Sequence, residues 1–365
     1  METVYDRLRD QLDQYSVGFP KTQSGVEMQI LRMLFTPEEA EMYLKLSMML
    51  EAPDTVAQRI GQDTETVAAI LERMAEKGLV FRIRGKESTK YGAAPFVVGI
   101  YEYQVGRMDR ELAQLVDAYM EEAFAGQASQ QVVPMRTIPV QRSIGVSWPV
   151  APYEDAKQII LSKDKLAVTR CICRVQKGLI DQGCDKPVEV CFMAGSHAQY
   201  YVDKGMGRWV SREEALEILD RCEEAGLVPQ PFNAKNPGGM CNCCGDCCGI
   251  LQMLKHLPRP VDGVYNNYFA VVDAELCDGC ATCLERCQME ALAIGEVGTC
   301  EVDLDRCIGC GLCVTTCPTE ALRLEQKPED QRRTPPASGQ DLMLQTAQVR
   351  GTTLVPLSAI RKQQE

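Results

Sequence analysis

The chain has 365 residues, 45% of them apolar, and 51 Asp and Glu against 39 Lys and Arg leave a net charge of −12. That length predicts two or three domains with folded cores. The acidic balance disfavours general nucleic-acid binding, and no apolar run is long enough to suggest a membrane span. Met1 to Arg7 lack the basic and apolar regions of a secretion signal, so the nineteen Cys read as metal or cluster ligands of a cytoplasmic protein in a reducing compartment, as in an anaerobe.

Residues 1–125 are expected to form a helical domain. Tyr5, Leu8, Leu12 and Tyr15 alternate at three- and four-residue steps, as on one face of a helix. Thr36-Pro37-Glu38-Glu39 is a capping box with Pro at N1. A short helix from Asp54 to Ile60 ends at Gly61, and a second runs from Thr64 to Lys77 behind Asp63. Leu79 to Arg84 alternates like a strand, Gly85-Lys86 makes a turn, and a second strand lies near Tyr91. This order, with the wording TVAAILERMAEKGLV, resembles winged-helix domains. Such a resemblance raises DNA binding, yet residues 51–95 hold seven acidic and seven basic side chains. The recognition helix would present Glu65, Thr66 and Ala69 where groove contacts form, and acid there repels phosphate. A structural or partner-docking role is therefore preferred, with the basic hairpin (Arg82, Arg84, Lys86, Lys90) as the feature that favours DNA. An amphipathic helix through Met108, Leu112, Leu115, Val116, Tyr119 and Met120 follows.

Residues 126–265 read as a Cys-rich α/β domain. The proline-dotted stretch from Gly126 to Pro152 predicts an extended connection, with a strand over Arg136 to Val140. Leu166 to Arg170 reads as a buried strand leading into Cys171, Cys173, Cys184 and Cys191, spaced C-x-C-x10-C-x6-C. A helix capped by Ser211 and closed by Gly226 precedes Cys241, Cys243, Cys244, Cys247 and Cys248. Isolated buried Cys act as small hydrophobes, the reading for Cys222 and Cys300. Nine Cys in tight Gly-bearing blocks fit soft-metal ligation better. The expected occupant is a third [4Fe–4S] cluster, with a fourth cluster or a structural zinc as alternatives; spacing does not choose the ligand subset. The two Cys-Cys-Gly triplets resemble the CCG tripeptide of heterodisulfide-reductase catalytic subunits, although the flanking spacings differ. His197 and His256 have no partner at metal-ligand spacing. No nucleotide fingerprint and no nucleophile–base pair is present, so no catalytic residue is assigned.

Residues 266–326 carry Cys277, Cys280, Cys283 and Cys287, then Cys307, Cys310, Cys313 and Cys317-Pro318. Both runs are C-x2-C-x2-C-x3-C, which resembles bacterial 2[4Fe–4S] ferredoxins, in which the fourth Cys of each run ligates the other cluster. The resemblance implies one cluster on Cys277, Cys280, Cys283 and Cys317, and another on Cys307, Cys310, Cys313 and Cys287. It also implies a βαββαβ-like fold, with strands at Phe269–Asp273 and Ala291–Ile294 and short helices at Arg286–Ala291 and Pro318–Ala321. With the stretch from Cys171 to Leu251, the chain is similar to multidomain 4Fe-4S binding proteins of anaerobes. Eleven Asp and Glu against Arg286, Arg306 and Arg323 in residues 270–326 suit docking on a basic redox partner.

The expected architecture is α+β, closed by a polar, loosely ordered tail over 327–365. The expected function is single-electron transfer to or from a low-potential oxidoreductase, as carrier or subunit. A redox-sensing winged-helix regulator and a reductase acting at the Cys241–Cys248 block are the alternatives. Whether the chain is itself an enzyme is left open.

Overall fold

Local capping sets the first helices. In this computed structural model, which describes residues 2–124, 133–144, 150–357 and 359, α1 (Val4–Leu12) starts behind Thr3, and α3 (Pro37–Tyr43) behind Thr36. In each, the cap hydroxyl accepts from the N3 amide while the N3 carboxylate, Asp6 or Glu39, accepts from the cap amide. Between them runs α2 (Val26–Leu34). Next, α4 (Pro53–Ile60) stops at Gly61, and α5 (Thr64–Glu76) is capped by the Asp63 side chain. The hairpin β1 (Val80–Arg84) and β2 (Thr89–Ala93) follows, then α6 (Arg110–Phe124), packed on α2.

Two of the hairpin's basic residues, Arg82 and Arg84, are already engaged. Arg82 is 2% exposed and pairs with Glu72 and Glu76, while Arg84 reaches Glu72 and Asp203. The hairpin also docks on the middle of the chain. Phe81 stacks on His197 at 4.7 Å between ring centroids. The Tyr200 hydroxyl donates to the Val80 carbonyl at 2.9 Å.

The middle of the chain holds α7 (Ala156–Leu161), β3 (Leu166–Arg170), α8 (Ile172–Leu179), β4 (Glu189–Ala194), α9 (Gly195–Asp203), β5 (Gly207–Trp209), α10 (Arg212–Glu224), β6 (Val228–Pro231), β7 (Gly239–Cys243) and α11 (Gly249–Lys255). Its strands form one sheet in the order β5-β3-β4-β7-β6, every pairing antiparallel. The α/β layering expected here is therefore corrected: without parallel crossovers, the region is α+β like the rest. The expected strand over Arg136 to Val140 is corrected too. This stretch lies along the outer edge of β6, where the Arg136 and Ile138 amides donate to the Pro231 and Pro229 carbonyls. Neither proline has an N–H to return, so only half a ladder forms. Of the Gly126–Pro152 connection, residues 126–132 and 145–149 lie outside the described residues.

The C-terminal cysteine runs sit in an internal repeat. Cys277 and Cys307, Gly279 and Gly309, and Glu290 and Glu320 each stand thirty residues apart, and their backbone turns match. The Asp273 amide donates to the Ala321 carbonyl, and the Asp303 amide to that of Ala291, both at 2.8 Å. Here β8 (Tyr268–Val272) pairs with β11 (Leu322–Gln326), enclosing α12 (Thr282–Arg286) and the hairpin β9 (Leu292–Ile294) and β10 (Cys300–Val302). The short helices stand earlier than expected. They are α12 and a 3-10 turn at Val314–Thr316, whereas Glu290 and Glu320 take left-handed φ of 55° and 56°, which a helix over 286–291 or 318–321 would not allow.

The tail is ordered, another correction. Ser338 and Asp341 make a capping box for α13 (Gly339–Arg350). Arg350 donates to the Ser16 carbonyl at 3.0 Å, and the Leu357 amide to Gln11 at 2.8 Å. One apolar core runs from Leu8 through the sheet to Cys247, and a second joins α11 to the C-terminal repeat. No helix among the described residues is long and apolar enough to cross a membrane.

Candidate metal centres

The repeat gathers its eight expected ligands into two groups. Cys277, Cys280, Cys283 and Cys317 line one small cavity, while Cys287, Cys307, Cys310 and Cys313 line another. Tight loops make this possible. Gly309, at φ +67°, lies so close to the Tyr268 carbonyl that a Cβ would collide with it; Gly279, at φ +70°, stands likewise against Gly298. Backbone donors face the sulfurs. The amide of Ala291 donates to Cys287 Sγ at 3.2 Å, that of Cys300 to Cys277 Sγ at 3.3 Å, and that of Ala270 to Cys307 Sγ at 3.5 Å. The Thr282 hydroxyl donates to Cys280 Sγ at 3.5 Å, and the Thr319 hydroxyl lies 3.6 Å from Cys317 Sγ. Sulfur donor sets with N–H and O–H groups aimed at them fit [4Fe–4S] clusters, whose potentials such bonds tune.

The two cavities differ in setting. Cys280 is exposed, whereas Cys307 and Cys313 are buried. Burial raises the Cys310 thiol to about 12. Cys300 is more than a core hydrophobe: it lines the first cavity, with its Sγ 3.6 Å from Cys283 Sγ. Its place outside both four-Cys runs hid that role. Cys222 does behave as read, buried on α10 with its thiol pushed up to about 12 by burial.

The nine upstream cysteines do not form one group. Six of them, Cys171, Cys173, Cys191, Cys241, Cys243 and Cys248, line a cavity of about 140 Å³. Their thiols make a closed ring of neighbours in the order 171–173–248–243–241–191. Strand alternation explains part of this: positions 241 and 243 of β7 share a face. Cys171 and Cys248 are the N-cap residues of α8 and α11. Their thiols are held well below the ordinary range, first by hydrogen bonds from neighbouring thiols and then also by the Arg174 and Leu251 amides. The other three, Cys184, Cys244 and Cys247, converge with all their sulfurs within 4.8 Å of one another.

Glu102 lines the six-thiol cavity, with its carboxylate accepting from the Gly99 amide at 2.6 Å and burial raising it to about 8. Nothing in the local sequence signals it, because the residues that enclose it come from α8, β4 and β7. The ring and the C-terminal repeat share an apolar core, which Cys243 and Cys248 enter together with Cys307 and Cys313, and a hydrogen bond beside the Cys184, Cys244 and Cys247 trio also ties the two regions. The Gly245 amide, next to Cys244, donates to Gln288 Oε1 at 2.7 Å, next to Cys287. His197 sits between Phe81 and Phe232, and burial lowers it to about 4.

Residues 300–323 match the family of 4Fe-4S binding domains. The match takes in the second cysteine run, Cys307 to Cys317, and supports iron–sulfur binding by that segment. No curated protein and no solved structure matches it.

Proposed function

We propose that the chain relays single electrons through two ferredoxin-type [4Fe–4S] clusters and a third iron–sulfur centre held by the six-thiol ring, exchanging them with a low-potential oxidoreductase. The observation that carries this is the crossing of the repeat: Cys317 joins the Cys277 group and Cys287 joins the Cys307 group. That is the ligand exchange of dicluster ferredoxins. A [4Fe–4S] cluster supplies one-electron transfer, at a potential set by burial, charge and hydrogen bonds to sulfur.

The protein's own residues set the order of the stations. The Cys277 quartet is the external port: Cys280 is exposed, and Leu276, Ile294 and Val297 present apolar surface at 52%, 38% and 83% exposure. Exposed Glu275, Asp278 and Glu296 rim that patch, suiting a basic partner surface. The buried Cys307 quartet is the internal station, sharing an apolar core with Cys243 and Cys248 of the ring, while the Gln288–Gly245 bond ties it to the segment that carries Cys244 and Cys247. The helix–helix–hairpin segment serves to cover the sheet, with Arg82 and Arg84 held in ion pairs. A DNA-reading regulator would need those cations free, and salt-sensitive binding to any DNA would be required to restore that reading.

Anaerobically purified protein should contain about twelve irons with matching sulfide, four per cluster, and EPR should resolve the reduced ferredoxin pair. About four irons would remove the dicluster reading, and about eight would leave the ring without iron. A reductase is the second reading. It is favoured by a ring with two thiols more than a cube takes and by the apolar cavity it faces. An EPR signal of the ring that shifts on adding a thiol or disulfide would support it; indifference to both would count against it.

A further inference from the structure

We infer that the nine upstream cysteines build two centres of different chemistry, and that Cys184, Cys244 and Cys247 hold a single tetrahedral zinc ion beside the six-thiol ring. The inference rests on the reading of these cysteines as metal ligands and adds which metal and which subset.

Geometry separates the two. A tetrahedral ion with Zn–S bonds of about 2.3 Å places its sulfurs about 3.8 Å apart. The sulfurs of Cys184 and Cys244 stand 3.8 Å apart, and Cys247 Sγ lies within 4.8 Å of both. Thiolates on a cube each sit on a different iron and are held wider. Among the described residues, neither ferredoxin-like quartet nor the six-thiol ring supplies three sulfurs that converge as closely.

The two Cys-Cys doublets are the dividing device. Cys243 faces the ring from β7, and its neighbour Cys244 turns to the trio. Cys248 faces the ring, and its neighbour Cys247 turns to the trio. Cys244 directly follows β7, along which consecutive side chains alternate between faces, and Cys247 closes a turn before the extended N-cap residue Cys248, so each doublet supplies one ligand to each of two adjacent centres. Arg174 lies between them. Its guanidinium is fixed by the Pro187 and Asn242 carbonyls, each at 2.9 Å, and it acts electrostatically on Cys171, Cys191 and Cys243 on one side and Cys244 on the other.

Charge fits as well. Three thiolates and a divalent ion leave one negative charge, which the Arg174 guanidinium helps to offset; Lys186 at the rim is paired with Asp246 and adds no net charge. Among the described residues no fourth His, Cys, Asp or Glu joins the trio. The fourth position is therefore open to water or an incoming ligand, as in zinc sites that do chemistry.

The test is elemental analysis of the full chain and two sets of variants. The parent should carry about one zinc per chain. Cys184→Ser and Cys247→Ser should lose the zinc with iron unchanged, whereas Cys243→Ser should lose iron and keep the zinc. Iron falling in Cys184→Ser, or zinc persisting there, would overturn the assignment while leaving the ferredoxin-type clusters untouched. If the serine variants do not fold, X-ray absorption at the zinc edge of the parent decides. Three sulfurs at about 2.3 Å with one lighter ligand support the site, and four sulfurs or no zinc refute it.

Discussion

Replacing Gly309 by Ala probes the feature that shapes the buried cysteine loop. Two separate costs can be read from the structure. Gly309 sits at φ +67°, where an L-residue costs about 1–2 kcal/mol. The added Cβ would also collide with the Tyr268 carbonyl, with Asn266 Nδ2 at 3.0 Å, and overpacking of this kind costs about 1–3 kcal/mol. The expected destabilisation is thus about 2–5 kcal/mol. It should fall on the Cys307 quartet, because β8 carries Tyr268 and cannot retreat without breaking its pairing with β11. Gly298→Ala is the control: its φ is +80° but nothing lies within 4 Å of the new Cβ, so only the backbone cost of about 1–2 kcal/mol applies. Anaerobic urea titration followed by cluster absorbance, with iron analysis of each variant, separates the two. Gly309→Ala should release iron at distinctly lower urea than Gly298→Ala. Equal midpoints would mean that the close approach to Tyr268 does not constrain the loop.

Three further outcomes are expected. Cys317→Ser should abolish the EPR signal of the exposed cluster and spare the buried one, and Cys287→Ser should do the reverse; loss of the Cys307-side signal in Cys317→Ser would contradict the crossed ligation. His197 is lowered from its ordinary 6.5 to about 4 by burial. Its neutral form therefore favours the fold, and that contribution, intact above pH 6.5, is lost as pH falls through 6.5 towards 4. His197→Gln should flatten the stability profile over that interval, measured against the parent by urea unfolding, and an unchanged profile would show that the imidazole is not desolvated. Ser338→Ala removes one half of the capping box of α13, at a cost of about 1 kcal/mol. Limited proteolysis should then cut the tail sooner, and unchanged cleavage would mean that α13 is held by other contacts.

What could be read from the sequence was local. The caps at Thr36, Asp63 and Ser211 announce their helices because each involves residues three apart, and the C-x2-C-x2-C-x3-C runs hold most of each ligand set in one loop. The division of the upstream cysteines was not readable. Cys184 meets Cys244 across sixty residues of chain, and which side each member of a doublet faces is decided by β7 and the start of α11. The tail misled for a related reason. Its composition is polar, but α13 is anchored through Arg350 and Leu357 to residues at the far end of the chain. At Arg136 to Val140 the extended backbone was foreseen, while its failure to become a full strand depends on Pro229 and Pro231 lying opposite.

The central claim is that electrons reach the six-thiol ring through the ferredoxin-type repeat. Rapid-freeze EPR of the ring signal, after mixing oxidised protein with a reduced low-potential donor protein, tests it in the parent and in Cys313→Ala. With the buried quartet broken, reduction of the ring should slow markedly while that of the exposed cluster stays fast. A ring that is reduced at the parental rate without the Cys307 quartet intact would contradict the relay.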